Sequence, residues 1–419
     1  MPVGDLASPD PDAHLLELAA HSFPDAARIG VMVSGGGDSM ALLHLVHRAG
    51  ELRGWLVEAI TIDHGLRTEA AAEAAMVAQV CAGLGIAHQT SVWQRQDNTG
   101  NLMNRARQAR YRLATDWAQA RGLSHVAVGH TADDQAETFL IGLARQAGID
   151  GLSGMRGSWE QGGVTFARPL LSVPRADLRA YLVRQAITWV DDPSNDNAHY
   201  TRVKARNALA VLAGLGITAT TLATVSDNLE SARLALLRQF ADAARMVTQT
   251  EAGSLGVPRG EFLRLPTEMQ RRLLIAALQW ISGVSYPPRE AGLRAVQRAL
   301  AVQKDATLGG VRFRVKGDAI WVLREARAVD ALEAPTTQPW DNRWHLTGPH
   351  AADLTIRALG AEGLRACKDW RATGHARDAL LVSPAIWQGQ TLIAAPLAGF
   401  PNDWCAICSP SFGSFVLSH

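Results

Sequence analysis

Between residue 28 and about residue 150 the hydrophobic pattern alternates between two periods. Short apolar or β-branched runs, "RIGVMV", "WLVEAITI", "AHQTSVW" and "HVAVGH", predict strands. The segments between them, "EAAAEAAMVAQVCAGLG" and "NLMNRARQARYRLATDWAQARG", have helical composition and apolar positions at helical spacing. Strand and helix in turn predict βαβ units, and hence an α/β fold with a parallel sheet covered on both faces. In such sheets ligands gather at the carboxyl ends of the strands. Residues 164 to 206 add a strand-like "VTFARPL" and a helix opening at Pro174. From about 215 to 303 the pattern is helical, and "GGVRFRVKGDAIWVL" then predicts a hairpin turning at Lys316-Gly317-Asp318. "EAPTTQPWDN" (333–342) reads as a linker. The chain after it is rich in Gly, Pro and Trp, with short strands such as "ALLVSPAIW" and "TLIAAPLAGF". These shifts divide the chain into 1–213, a mainly helical 214–330, and a small mixed α/β domain at 331–419.

Composition changes that picture little. A chain of 419 residues, 47% apolar and 19% charged, is that of a globular protein of two or three domains. No apolar run reaches the roughly 18 residues needed to span a bilayer, and "MPVGDLASPDPDAH" lacks the basic start of a signal peptide. Cys81, Cys367, Cys405 and Cys408 are too few and scattered for a disulfide framework. The expectation is a cytoplasmic protein with no membrane and no obligate protein partner. A net charge of +1 does not select a partner. Lys204, Lys304, Lys316 and Lys368 are the only lysines, so nearly all the positive charge is arginine. A GC-rich genome explains most of that bias, but arginine is the better bidentate phosphate ligand, so its local clusters matter more than the total.

Candidate chemistry begins where the first strand meets the first helix, in "VMVSGGGDSM" (31–40). Ser34, Gly35, Gly36, Gly37, Asp38 and Ser39 place glycines where backbone N–H groups can crowd around one ligand. The helix start adds unpaired amides and the positive end of its dipole, a setting for pyrophosphate. Asp38 beside a phosphate requires a cation between them, so it is assigned to Mg²⁺. A plain glycine turn with Asp38 as helix cap is the alternative; six residues in this order after a strand favour the phosphate reading. The loop is neither a Walker A loop nor a dinucleotide fingerprint.

Three further constellations follow. In "VGHTADDQAETFL" (128–140) His130 ends a strand, Thr131 is placed to cap a helix, and Asp134 and Glu137 share a helical face that can hold a metal or ammonium cation. Phe139, Leu140 and Leu143 lie opposite and are expected to pack inward, whereas Asp133 alone reads as a solvated first-turn acid. In "NLMNRARQARYRLATDW" Leu102, Ala106, Ala109, Leu113 and Trp117 form an apolar stripe. Arg105 and Arg112 flank it on one side, Arg107 and Arg110 on the other, as suits phosphates of a nucleotide or polynucleotide. A solvated basic face is the rival, though such faces usually intersperse acids and none occurs in this stretch before Asp116. Last, "WVDDPSNDNAHYTRVKARN" joins an acidic loop to Arg202, Lys204 and Arg206.

"SGGGDS" resembles the SGGxDS signature of the PP-loop ATP pyrophosphatases. Together with "DHGLR" (63–67), "ARQARY" (106–111), "GHTADDQAET" (129–138), "GLSGM" (151–155), "RPLL" (168–171) and "DDPSND" (191–196), it is similar to the pattern of the tRNA(Ile)-lysidine synthases. The match covers about residues 28 to 210; "LARQAGIDG" departs from the family's usual Arg-Gly, and the last 80 or so residues match loosely. The resemblance implies a Rossmann-like N-terminal PP-loop domain that uses ATP and Mg²⁺. It implies adenylation of the C2 oxygen of the wobble cytidine in a CAU-anticodon tRNA(Ile), then attack by the amine of free L-lysine, yielding lysidine, AMP and pyrophosphate. On that reading Asp38 and the loop hold pyrophosphate, Arg110 stabilises charge at the α-phosphate, and His130 orients nucleotide or base. Asp134 and Glu137 hold the lysine, and a carboxylate there can take the amine's proton. Arg105, Arg107, Arg112, Arg202 and Arg206 are candidates for phosphate or tRNA, and the two later domains for the acceptor stem. The alternatives are a small-molecule PP-loop synthetase, a cytidine thiolase of the same superfamily, and a non-catalytic RNA-binding protein. A glutaminase segment, a cysteine pair near the loop, or loss of the acids would mark these, and the chain shows none of the three. "CAIC" (405–408) is read as structural.

Overall fold

In the computed structural model the residues described are 11–23, 28–65, 69–94, 102–191, 201–284 and 286–417, with 102–104 described by backbone alone. They fall into two compact units, one ending at Arg233 and one beginning at Leu234.

The first unit runs α1 (Ala13–His21), β1 (Arg28–Met32), α2 (Gly37–Arg53), β2 (Leu56–Asp63), α3 (Ala70–Gly83), β3 (Ala87–Val92), α4 (Leu102–Arg121), β4 (His125–Val128), α5 (Ala132–Ala144), α6 (Ile149–Leu152), β5 (Ser158–Gln161), β6 (Val164–Ala167), α7 (Arg175–Arg184) and α8 (Thr201–Leu212). Its six-stranded sheet has the order β3-β2-β1-β4-β6-β5, parallel except for β5, which closes one edge antiparallel to β6. The alternation in β1 explains the burial on two faces. Ile29, Val31 and Val33 join a core with α1, α2, α3 and α7, while Met32 packs with Tyr111, Ala114 and Trp117 of α4 on the other side. Gly30 is part of that second face, because a Cβ there would lie 2.6 Å from the Trp117 ring. On α5, Phe139 and Ala136 pack against Leu222, with Leu209 of α8 nearby, but Leu143 is 55% exposed and does not pack inward as its spacing suggested. It lies in the last turn of α5, past the end of that contact.

After α9 (Ala219–Ala244), which straddles the unit boundary, the second unit departs from the helical expectation. β7 (Thr248–Gln249) and β8 (Leu255–Pro258) interrupt the run before α10 (Arg259–Arg264), α11 (Thr267–Ser282) and α12 (Glu290–Ala301). They complete a sheet of order β7-β8-β11-β10-β9, with β9 (Ala306–Leu308), β10 (Val311–Lys316) and β11 (Ala319–Arg324). Gly256 lets the Trp321 ring cross β8, 3.2 Å from where its Cβ would stand. The expected hairpin forms, with Lys316 opposite Ala319 across a Gly317-Asp318 turn and Gly317 at φ 62°.

The segment 333–342 is not a linker. Ala334–Pro335 is β12, Trp340 is buried, and Asp341 accepts from Arg324 Nε at 3.1 Å and from Nη2 at 3.0 Å. A partner supplied by β11 pulls this polar stretch into the core. β13 (Trp344–Thr347), β14 (Leu354–Ala358), α13 (Gly360–Ala366), α14 (Arg377–Leu381), β15 (Pro384–Gln388), β16 (Thr391–Ala394), β17 (Cys405–Cys408) and α15 (Phe412–Leu417) follow. "ALLVSPAIW" thus divides into the end of α14 and the strand β15. The unit holds two apolar cores, one about α11, β10 and β11, the other about Trp340, Trp344, Ile356, Ile386 and Trp404.

Candidate active site

The sheet order reverses between β1 and β4, so the loops leaving their carboxyl ends border the crevice where such folds bind ligands. The glycine loop leaves β1, with Gly35 at φ 85°, a conformation that L side chains rarely adopt. Gly36 caps α2 in extended backbone and no side chain caps the first turn, so the N–H groups of Gly37, Asp38 and Ser39 lack intrahelical acceptors, the ladder starting with Met40 N–H on Gly36 O. The Ser39 hydroxyl donates to Gly36 O at 2.8 Å and accepts from Ser34 N–H at 3.1 Å. Ser39 therefore braces the loop from inside. Ser34 is exposed. Val190 N–H bonds Gly35 O at 3.0 Å, which ties the start of the acidic segment to the loop. Gly129, just after β4, is needed because a Cβ there would stand 3.1 Å from Ser39 Cα and 3.2 Å from Asp38 O. The two loops meet there.

α5 opens as the sequence suggested, through a capping box. Thr131 N–H donates to Asp134 Oδ2 at 2.9 Å, and Thr131 Oγ1 accepts from Asp134 N–H at 3.4 Å. Asp134 and Glu137 are both buried. What faces them is Arg175, the first residue of α7. Its Nε donates to Asp38 Oδ2 at 2.9 Å, and its Nη atoms lie 3.5 Å from Asp134 Oδ1 and 3.8 Å from Glu137 Oε1. Arg206 donates from Nε and Nη2 to Glu137 Oε1 at 3.1 and 3.0 Å, and Arg202 stands 4.0 Å from Asp134. Asp133 is not merely solvated: it accepts the Arg175 N–H at 2.7 Å.

This network sets the charges. Burial pushes the Asp38 and Glu137 carboxyls above their usual range, against the pull of Arg175 on Asp38 and of Arg206 and Arg175 on Glu137. Burial alone would lower the Arg175 guanidinium, but Asp38 and Asp134 more than offset it and raise it. Among the described residues no group of three or more His, Cys, Asp or Glu side chains is gathered for a metal ion. A single carboxylate such as Asp38 nevertheless fits magnesium that arrives on a polyphosphate, since that ion draws most of its oxygens from phosphates and water.

His130 stands just before the α5 cap, buried, with Nδ1 accepting from Arg168 Nε at 2.9 Å. Burial depresses its pKa to about 3, with Arg168, Arg107 and Arg202 adding to the effect and Asp134 opposing it. Arg168 is itself held by Arg156 O at 2.5 Å and by the Trp159 ring, 4.0 Å below its guanidinium. Arg110 donates to His64 Nε2 at 3.3 Å, at the carboxyl end of β2, one strand over from the glycine loop. Burial and that arginine hold His64 down to about 4. Arg107 is exposed with its guanidinium 5.3 Å from the Tyr111 ring, Arg112 is exposed, and Arg105 is half-buried.

The structure thus brings together Asp38, Asp134, Glu137, Arg202 and Arg206 from the sequence-derived set. Arg206 is paired with Glu137. Arg175 escaped the sequence reading, and Arg168 and His64 entered it only within "RPLL" and "DHGLR", with no role assigned. Arg175 carried one signal: a cation in the first turn of a helix opposes the macrodipole and calls for acids elsewhere. Leu66 and Arg67 of "DHGLR", and "DDPSND" after Asp191, lie outside the described residues.

Residues 11–212 match the family described as the PP-loop domain. A tRNA(Ile)-lysidine synthase of Ruegeria pomeroyi is 47% identical over 399 residues, 94% of each chain. One from Wolbachia of Brugia malayi is 34% identical over 79% of this chain and 80% of its own. Among solved structures, the U34-tRNA thiolase NcsA from Methanococcus maripaludis aligns at TM-score 0.46 and 13% identity, over 52% of this chain and 80% of its own. On the near-full-length likeness to the Ruegeria protein, this chain belongs to the tRNA(Ile)-lysidine synthase family.

Proposed function

We propose that this chain ligates L-lysine to C2 of the wobble cytidine of a CAU-anticodon tRNA(Ile), with ATP cleaved to AMP and pyrophosphate through an adenylated tRNA. The observation that carries the reading is the likeness spanning 94% of both chains, which includes the glycine loop and the acid helix. Supporting it, the start of α2 offers amides suited to a pyrophosphate group. Asp38 would hold Mg²⁺, whose charge offsets that of the phosphates and of the leaving pyrophosphate. Asp134 and Glu137 would receive the ammonium group of lysine on carboxylates that also face Arg175, Arg202 and Arg206. The amine must lose a proton before it attacks C2. Glu137, already pushed toward the protonated state by burial, is placed to take it. Arg107, Arg168 and Arg202 add positive charge near His130, where the nucleotide and the base would meet, and Arg110, beside Arg107 and Arg202, would stabilise charge at the α-phosphate. Arg105 and Arg112 are assigned to tRNA phosphates. The two cores of the second unit support a central and a C-terminal tRNA-binding domain parting near residue 330, with Phe412 and Val416 of α15 returning to the first core.

Thiolation is disfavoured by the thiols themselves. Cys81 is buried, with burial driving its pKa to about 11, and Cys405 and Cys408 lie three apart on a strand, which turns them to opposite faces. The test supplies ATP, labelled lysine and a CAU-anticodon tRNA(Ile) transcript, omitting each in turn. Label should enter tRNA and pyrophosphate should appear only with all three present. Lysine-independent incorporation of sulfur would reverse the assignment. Asp38→Ala should lower pyrophosphate release by roughly 100-fold or more.

A further inference from the structure

The buried pair Arg168–His130 has a chemical consequence for the crevice, resting on the reading above only for the identity of the ligand. A guanidinium has N–H donors and no acceptor, and it stays protonated. The His130 Nδ1 that faces Arg168 Nε at 2.9 Å must therefore be the unprotonated nitrogen. In a neutral imidazole the proton then sits on Nε2. The arginine is not free to turn away. Its Nη1 is bonded to Arg156 O at 2.5 Å, and its plane rests 4.0 Å from the Trp159 ring, which is stacked on Phe166 of β6. Both residues are at least 90% buried.

Burial opposes a second proton on the ring, and the surrounding charges divide. Arg168, Arg107 and Arg202 oppose protonation, and Asp134 alone favours it. A second proton on Nδ1 would also face the Arg168 N–H directly.

We propose that Arg168 is a positioning residue that locks His130 in the Nε2–H tautomer, making His130 a fixed hydrogen-bond donor to an oxygen acceptor of the bound nucleotide or base and barring it from service as a general base. The lysine proton then leaves through the carboxylates of α5. No proton is gained or lost at His130 during the reaction.

The tautomer is observable without catalysis. Long-range ¹H–¹⁵N spectra of the full chain with labelled histidine should show one imidazole in the Nε2–H form, with no titration between about pH 5 and 8, and that signal should be missing from His130→Gln. In Arg168→Met the same imidazole should become a mixture of tautomers and titrate toward the ordinary histidine range. In turnover, His130→Gln, whose amide keeps a donor near the Nε2 position, should retain at least about tenfold more activity than His130→Ala. A wild-type His130 in the Nδ1–H form, or one that titrates in that window, overturns the proposal even if Arg168→Met does not fold. Because the spectra need neither tRNA nor lysine, a failed ligation assay and a wrong tautomer are separate outcomes.

Discussion

Glu137 shows how one residue is compromised between fold and chemistry. Its carboxyl is buried and its pKa is raised by that burial and by Asp134, although Arg206 and Arg175 stand beside it. A carboxyl whose pKa is higher folded than unfolded binds its proton more tightly in the folded chain. It therefore costs stability as pH climbs from the ordinary glutamate range through the raised value. Glu137→Gln removes that cost while keeping an acceptor for Arg206. Its melting temperature at pH 7 should exceed that of the wild type by about 2 °C, and the two should converge near about pH 4. The same variant should raise the lysine KM by roughly tenfold or more and leave the KM for ATP nearly unchanged. An unchanged lysine KM would remove Glu137 from the amine site. The sequence exposed Glu137, Asp134 and Asp38 because short-range patterns mark them: a glycine turn for one, helical spacing for the others. It concealed Arg175, whose bond to Asp38 spans 137 positions and depends on the register of α7 against α2.

Among the elements, what positions the site is the close approach of the turn after β4 to the start of α2. Gly129 is the contact, and what it touches is backbone, which cannot rotate out of the way. Gly129→Ala should push the two loops apart, cost about 1–3 kcal/mol in thermal or denaturant unfolding, and depress pyrophosphate release more than it depresses stability. The alternation of β1 and the two-residue turn at Gly317-Asp318 were legible because strand period and turn chemistry are local. β8 was not, because "SLGVP" is short and gains its strand character only when β11 lies alongside it. The supposed linker misled for a related reason: its prolines and threonines look like a tether until Arg324 captures Asp341.

At the scale of the whole molecule, Arg324, Asp341 and Arg343 hold the second unit together where its two cores adjoin. Arg343 lies 3.7 Å from Asp341, donates to Gly253 O at 2.7 Å and stands over the Trp280 ring at 5.2 Å. Removing the one carboxylate leaves two buried guanidinium groups uncompensated. Asp341→Ala should cost about 3–5 kcal/mol, read as an early melting of the second unit in hydrogen exchange while amides of the six-stranded sheet keep their protection.

The pleat of β17 has a practical corollary. Of the chain's four thiols, Cys81 and Cys367 are enclosed and Cys408 is half-covered beside Arg343, which leaves Cys405 as the single sulfur pointing fully outward. A maleimide dye added to the native protein should couple there first and at a stoichiometry close to one. Cys405→Ser should abolish that coupling. The far end of the chain would then carry one fluorescent reporter, introduced without engineering, for following the arrival and departure of RNA in real time.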